Sequence, residues 1–210
     1  MSETDQGVTE FVFMHVAEGS QPGEGHENFF GTPRAPGFLN ARYGWQVEDP
    51  SVFHWIINWR SLDDHKAFMT SPEYPAFVQK ITPWTSNLSL FHAALHRHPP
   101  TEVFEGLTTE LVKLHLKEGV TKEEMTKTYH IFEERLKNAK GYHAHAGGWS
   151  IEDDNCAVIV IKWDDKDAHT DWVKSEEGED ILRGKEGLLC NVDKIEMWHI
   201  NDAGPITPPE

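Results

Sequence analysis

Residues 141–149 read GYHAHAGGW, with two histidines two apart, a glycine pair and a tryptophan. On a strand, side chains two apart leave the same face, so His143 and His145 project together. Neighbouring imidazoles can bind a metal, move a substrate's protons, or simply pack. A metal needs a third ligand, and no carboxylate or cysteine stands at ligand spacing nearby, so metal binding is the runner-up for this pair.

The 210 residues hold 35 acidic and 19 basic side chains, for a formal charge of −16. With 38% hydrophobic residues and eight tryptophans, the composition is that of a globular protein able to bury a core. No lysine or arginine cluster offers a phosphate-binding face, which argues against nucleic acid and anionic membrane as partners. Cys156 and Cys190 fit neither a disulfide framework nor a zinc spacing. No apolar run reaches membrane length, and MSETDQG lacks the basic start and apolar middle of a secretory signal. A soluble, cytoplasmic setting is expected.

Histidines, glutamates and tryptophans recur in register because the sequence is written twice. EFVFMHVAEG (10–19) matches ELVKLHLKEG (110–119), and GFLNARYGWQVED (37–49) matches GYHAHAGGWSIED (141–153). IINWRSLDDHKAFMTSPE (56–73) matches VIKWDDKDAHTDWVKSEE (160–177), and LSLFHAAL (88–95) matches IEMWHIND (195–202). Units over 8–97 and 108–201 follow, with 98–107 as linker and proline-rich 202–210 as an extended arm.

In the second copy, TKEEMTKTYHIFEERLKNAKGY is a helix. Thr121 caps it, Glu124 completes a capping box and Gly141 stops it, with Met125, Tyr129, Phe132 and Leu136 on one face. A second helix opens at Asp164. The order β-α-β-β-α-β is the ferredoxin-like unit, an α+β fold with helices on one face of an antiparallel sheet. Two such units cover their bare faces by closing an intrachain barrel. The first copy has SQPGEGHENFFGTPRAPG where its first helix should lie, and the glycines and prolines predict a loop there, with one helical turn around HENFF.

The strand closing in KEGVTKEE and the segment KWDDKDAHTDW resemble the dimeric α/β-barrel superfamily. That group includes antibiotic-biosynthesis-monooxygenase-like proteins, stress-responsive A/B barrel proteins and polyketide cyclases. The resemblance covers nearly the whole sequence. It implies a pocket inside one unit, between sheet and helices, cofactor-free chemistry, and acid–base residues from strand edges and the second helix. It makes His65 and His169 pocket-lining, the alternative being half-buried packing residues.

Strand parity puts Glu110, Val112, Leu114, Leu116 and His199 on the helix side, and Lys113 and His115 in the barrel. First and last strands of a unit are antiparallel neighbours, so Glu110 approaches His199, and Glu10 approaches His92. A carboxylate there raises the imidazole's basicity and fixes its tautomer, as a general base requires. The resembled olivetolic acid cyclase carries a histidine on the first strand and an aspartate on the last, so the two residue types are swapped here. Both pairs recur in both copies, which equally suits a structural hydrogen bond. His15 and His115 recur on the barrel side as packing or pairing residues.

Leu39 and Ala41 replace His143 and His145 in the first copy. That reads as core in one unit and an ionisable pocket in the other. Tyr74 caps the first unit's pocket or packs, and Trp45, Trp149 and Tyr129 offer walls for an aromatic ligand. No strand-linked G-x-G-x-x-G and no P-loop is present, so no nicotinamide, flavin or nucleotide cofactor is expected.

The function expected is cofactor-independent proton abstraction, by His199 with Glu110 or by His143 and His145, from a small aromatic or polyketide-like substrate. Cyclisation, decarboxylation, dehydration or oxygenation would follow. The alternatives are a non-enzymatic stress-related or ligand-binding barrel, and a haem- or metal-binding one. The fused units remove the usual reason to form a homodimer without forbidding it.

Overall fold

The computed structural model describes residues 6–17 and 35–206. Of the loop expected in place of the first unit's first helix, all but residues 35–37 lies outside them. Eight strands form one closed antiparallel barrel. The first unit contributes β1 (Val8–Val16), β2 (Phe38–Gln46), β3 (Val52–Trp59) and β4 (Thr85–Leu95). The second contributes β5 (Thr108–Leu116), β6 (Tyr142–Ser150), β7 (Cys156–Trp163) and β8 (Val192–Ile206). The order around the barrel is β1-β3-β2-β8-β5-β7-β6-β4, so the units meet at a β2–β8 seam and a β4–β6 seam.

β3 is buried throughout and β7 almost throughout. Each has one face in the barrel and the other under helices, so neither can alternate with polar residues. The barrel interior is filled rather than hollow. Phe11 stacks on Phe91 at 5.0 Å, and Phe104 meets Phe11 edge-on at 6.1 Å. Phe104 comes from a 3₁₀ turn over Thr101–Phe104, so part of the expected linker is core. The expected C-terminal arm is also partly structured, because β8 runs on to Ile206 and pairs with β2. No helix among the described residues is long and apolar enough to cross a membrane.

Helices cover the outer face. α3 (Lys122–Leu136) starts at the Thr121–Glu124 capping box and buries Met125, Tyr129, Phe132 and Leu136. The second helix of each unit is broken in two, giving α1 (Leu62–Met69) and α2 (Tyr74–Ile81), then α4 (Lys166–Val173) and α5 (Glu176–Arg183). α4 is capped by Asp165, one residue later than expected, whose side chain accepts from the Ala168 amide.

At both seams a repeat-matched glycine faces a backbone carbonyl. A Cβ on Gly44 would collide with the Asn201 oxygen, and one on Gly148 with the Ala94 oxygen. A main-chain oxygen held in a ladder cannot yield as a flexible side chain can. Gly148→Ala should therefore destabilise the protein by about 1–3 kcal/mol, the usual range for overpacking. A lowered urea midpoint with an unchanged slope would show it, and an unchanged midpoint would refute the close approach.

Candidate active site

Glu110 on β5 pairs in register with His199 on β8, as Glu10 on β1 does with His92 on β4. Their side chains do not meet directly, because a histidine from the covering helix stands between them. In the second unit, Trp163 Nε1 donates to Glu110 Oε2 at 2.8 Å, and His169 Nε2 lies 3.4 Å from Glu110 Oε1. His169 Nδ1 and His199 Nε2 are 2.8 Å apart, and His199 Nδ1 is 2.6 Å from Glu48 Oε1. The His199 amide donates to the other Glu48 oxygen at 3.1 Å, and Lys166 Nζ lies 3.0 Å from Glu48. Glu48 belongs to the other unit, in the turn after β2.

The first unit repeats this relay. Trp59 Nε1 donates to Glu10 at 2.7 Å, His65 Nε2 is 3.5 Å from Glu10, and His65 Nδ1 is 2.8 Å from His92 Nε2. His92 Nδ1 is 2.6 Å from Glu152, which comes from the second unit. Each relay is thus anchored by a carboxylate lent across a seam.

Counting protons shows what such a relay does. Hydrogen bonds join Glu48 to His199 and His199 to His169, and the two neutral imidazoles supply their two protons. His169 Nε2 then turns a lone pair toward Glu110 Oε1 at 3.4 Å, a contact that is favourable only if one further proton is held. Burial sets its place. It pushes Glu110 up to about 7 against the Trp163 hydrogen bond, and pushes His169 down to about 3, with His199 adding to that. Burial also lowers His199, outweighing Glu48, so the basicity expected from a carboxylate neighbour is reversed. Burial would raise Glu48, but bonds from His199 and Lys166 outweigh it and hold it at about 2. The extra proton therefore sits on Glu110, at the buried end. In the first unit Glu10 is likewise raised by burial to about 7 and His65 lowered to about 4.

The two relays differ in the space beside them. Glu110, His169 and His199 border a cavity of about 410 Å³, walled by apolar residues such as Phe132, Ile159 and Met197. The matching space beside Glu10 and His65 is about 50 Å³. Trp55 and Tyr74 fill it, where the second unit has Ile159 and Gly178.

Residues 30–80 match the family model described as Antibiotic biosynthesis monooxygenase. No curated protein matches the chain. Among solved structures, an anthrone oxidase-like protein is 13% identical, with 98% of this chain and 94% of that one covered and a TM-score of 0.68. A protein of Fusobacterium nucleatum subsp. nucleatum, described as a candidate monooxygenase, is 9% identical over 95% of this chain and 94% of that one, with a TM-score of 0.65. One of Lactobacillus acidophilus NCFM, with the same description, is 12% identical over 96% of each chain, at 0.63. The chain folds as an α/β barrel closed by two fused units. At these identities the likeness is one of fold.

Within this α/β barrel the remaining expected site residues scatter. His143 and His145 do not share a face. β6 has a bulge between Tyr142 and Ala144, which turns His143 out to pair with Asp164 at 2.6 Å, while His145 is buried. The matching Leu39 is likewise exposed rather than core, and only Ala41 is buried. Tyr74 packs on Phe68 and Phe77 in the filled unit. Trp45 packs on Phe53 and Trp84. Tyr129 and Trp149 line a second cavity, which His199 does not border. His115 pairs with Glu196 at 2.7 Å and with Asp153, and His15 is exposed at the strand end. Glu48 and Glu152 were not singled out from the sequence. Both stand at one position of the second repeat block, a signal of pairing but not of the partner's unit.

Glu110 also ties folding to pH. Its pKa is raised in the folded state, so its contribution is full below about 4.5 and is lost as pH rises through about 7. The full loss is on the order of 3 kcal/mol. Glu10 behaves alike. Gln mimics the protonated acid, accepting from the tryptophan and donating to the histidine. The E10Q/E110Q double variant should lose most of the wild-type fall in melting temperature between pH 5.5 and 8.5. An undiminished fall would place the titration elsewhere.

Proposed function

We propose that the second unit is a cofactor-independent enzyme site that opens its reaction by taking a proton from an acidic carbon or phenol of a small aromatic or polyketide-like compound. The observation that carries this is a relay with one labile proton, ending on Glu110 beside an apolar cavity large enough for a ring system. A base works best with its pKa near the working pH, and Glu110 is held there by burial. When Glu110 is ionised, the link to His169 is one proton short. Taking the substrate's proton restores it, and His169, His199 and Glu48 hold the acid in place. The sequence pointed to His199 with Glu110, or to His143 and His145, as the base; in this reading Glu110 takes that role, with His169 and His199 as positioning residues.

The carbanion or phenolate left behind is the common start of cyclisation, decarboxylation, dehydration and reaction with dioxygen. The family match over residues 30–80 favours oxygenation among these. Apolar walls would keep water from the electron-rich intermediate.

The filled first unit keeps the same relay, which favours a second reading: a ligand-binding barrel whose relays only fasten helix to sheet. That unit also supplies the control. With anthrone as probe, oxidation to anthraquinone and water by dioxygen and deuterium uptake at its methylene should each fall about 10²–10⁴-fold in E110Q. The matched E10Q should leave both unchanged. Ile159→Trp, which installs the filled unit's residue, should abolish probe binding. Equal losses from E10Q and E110Q, or none from either, would favour the fastening role.

A further inference from the structure

The sequence offered His145 no third ligand, yet the fold brings two groups to it. Glu133 reaches down from α3, and His96 follows directly on β4 across the seam. One ligand atom from each of His96, Glu133 and His145 lies within 4.8 Å of the others. None of the three belongs to the relay. We propose that they form a mononuclear site for a divalent transition-metal ion of the zinc class, with open coordination positions toward the cavity between α3 and β6.

Four observations lead there. First, an oxygen acceptor stands at the other ring nitrogen of each histidine. Tyr142 Oη is 2.6 Å from His145 Nδ1, and His96 Nδ1 lies against the Gly147 carbonyl. Metal binding requires a proton on each Nδ1, donated to those oxygens in place of the Gly147 amide's 3.1 Å donation to His96 Nδ1 and the His145 Nε2 donation to Glu133, so that both Nε2 lone pairs face the ion as in ligating histidines. Secondly, the spacing suits an ion. Tetrahedral ligands at zinc distances stand roughly 3.3 Å apart. His145 Nε2 and Glu133 Oε2 form a hydrogen-bonded pair 3.1 Å apart, whose shared proton an ion would displace, and His96 is exposed beside them with its ring held against Gly147.

Thirdly, a polar group waits beside the site. The Tyr129 hydroxyl is buried with no hydrogen-bond partner among the described residues, and its ring centre is 5.8 Å from that of His96 and 6.2 Å from that of His145. It lines a cavity of about 300 Å³ with His96 and His130, where a metal-bound water would give it a partner. Fourthly, the matching β2–β8 seam lacks three members of the set. Phe38 stands for Tyr142 and Ala41 for His145, and, counting from the matched His92 and His199, Ala203 stands for His96. A scaffold role would not require the three to change in concert.

Two other groups face the site. His130 holds the second Glu133 oxygen at 3.0 Å, fixing the carboxylate. Arg97 acts on His145, Tyr129 and Tyr142 from close by, opposing a cation and favouring an anionic fourth ligand.

The test is titration of the chelator-stripped full chain with Co²⁺, read by visible absorption, followed by displacement with Zn²⁺. One equivalent should bind with the d–d bands of a four- or five-coordinate ion. His96→Ala, at an exposed position that leaves folding intact, should weaken binding at least about tenfold, as should Glu133→Gln, and Tyr142→Phe should weaken it about 10–100-fold. His115→Ala, in a separate His115, Asp153 and Cys156 cluster, should change nothing. Absence of saturable binding, full affinity in His96→Ala, or loss in His115→Ala instead would overturn the assignment.

Discussion

Two four-stranded units close into one barrel only where the strands at both seams approach without side chains between them, and Gly44 and Gly148 stand at those points. The remaining architecture depends on that approach. A closed sheet leaves no strand edge for unwanted pairing. It also carries the turn after β2 of each unit to the last strand of the other, which is how Glu48 comes to His199 and Glu152 to His92. With the interior packed by Phe11, Phe91 and Phe104, any guest must lie between sheet and helices.

The relays follow from burial. A lone buried carboxylate is costly to ionise, and a lone buried imidazole costly to protonate. Strung between two carboxylates, two imidazoles satisfy every nitrogen with a single extra proton, which burial drives onto the inner acid. Outer acids Glu48 and Glu152 stay ionised because they reach toward solvent and accept both a ring and an amide hydrogen. The relay is therefore directional, with a neutral buried end and a charged outer end.

Duplication lets one copy change while the other keeps the barrel standing. The relay survives in both, but aromatic side chains fill the first unit where the second has Ile159 and Gly178. A Cβ at Gly178 would strike the Trp172 carbonyl, so that glycine is required by the turn into α5 as well as by the space beside it. Among the described residues, Phe38 and Ala41 stand in the first unit where the second has Tyr142 and His145. The differences that set the two cavities apart lie in side chains under the helices, where volume and polarity can change without disturbing the ladders.

The sequence by itself determined the repeats, the β-α-β-β-α-β order, the capping box at Thr121 and the helix-side placement of Glu110 and His199. These are local or periodic properties: strand parity, helical faces, and matching blocks at a fixed offset. Only the tertiary structure decided that His169 would stand between Glu110 and His199, and that Glu48 would come from the other unit. Only it showed that a bulge would part His143 from His145 while His96 and Glu133 converged on the latter. Each of those depends on seam geometry, a one-residue register slip or the depth of burial, and none leaves a period in the sequence. The direction of the pKa shifts went the same way, because desolvation is set by what packs around a group and not by its neighbours along the chain.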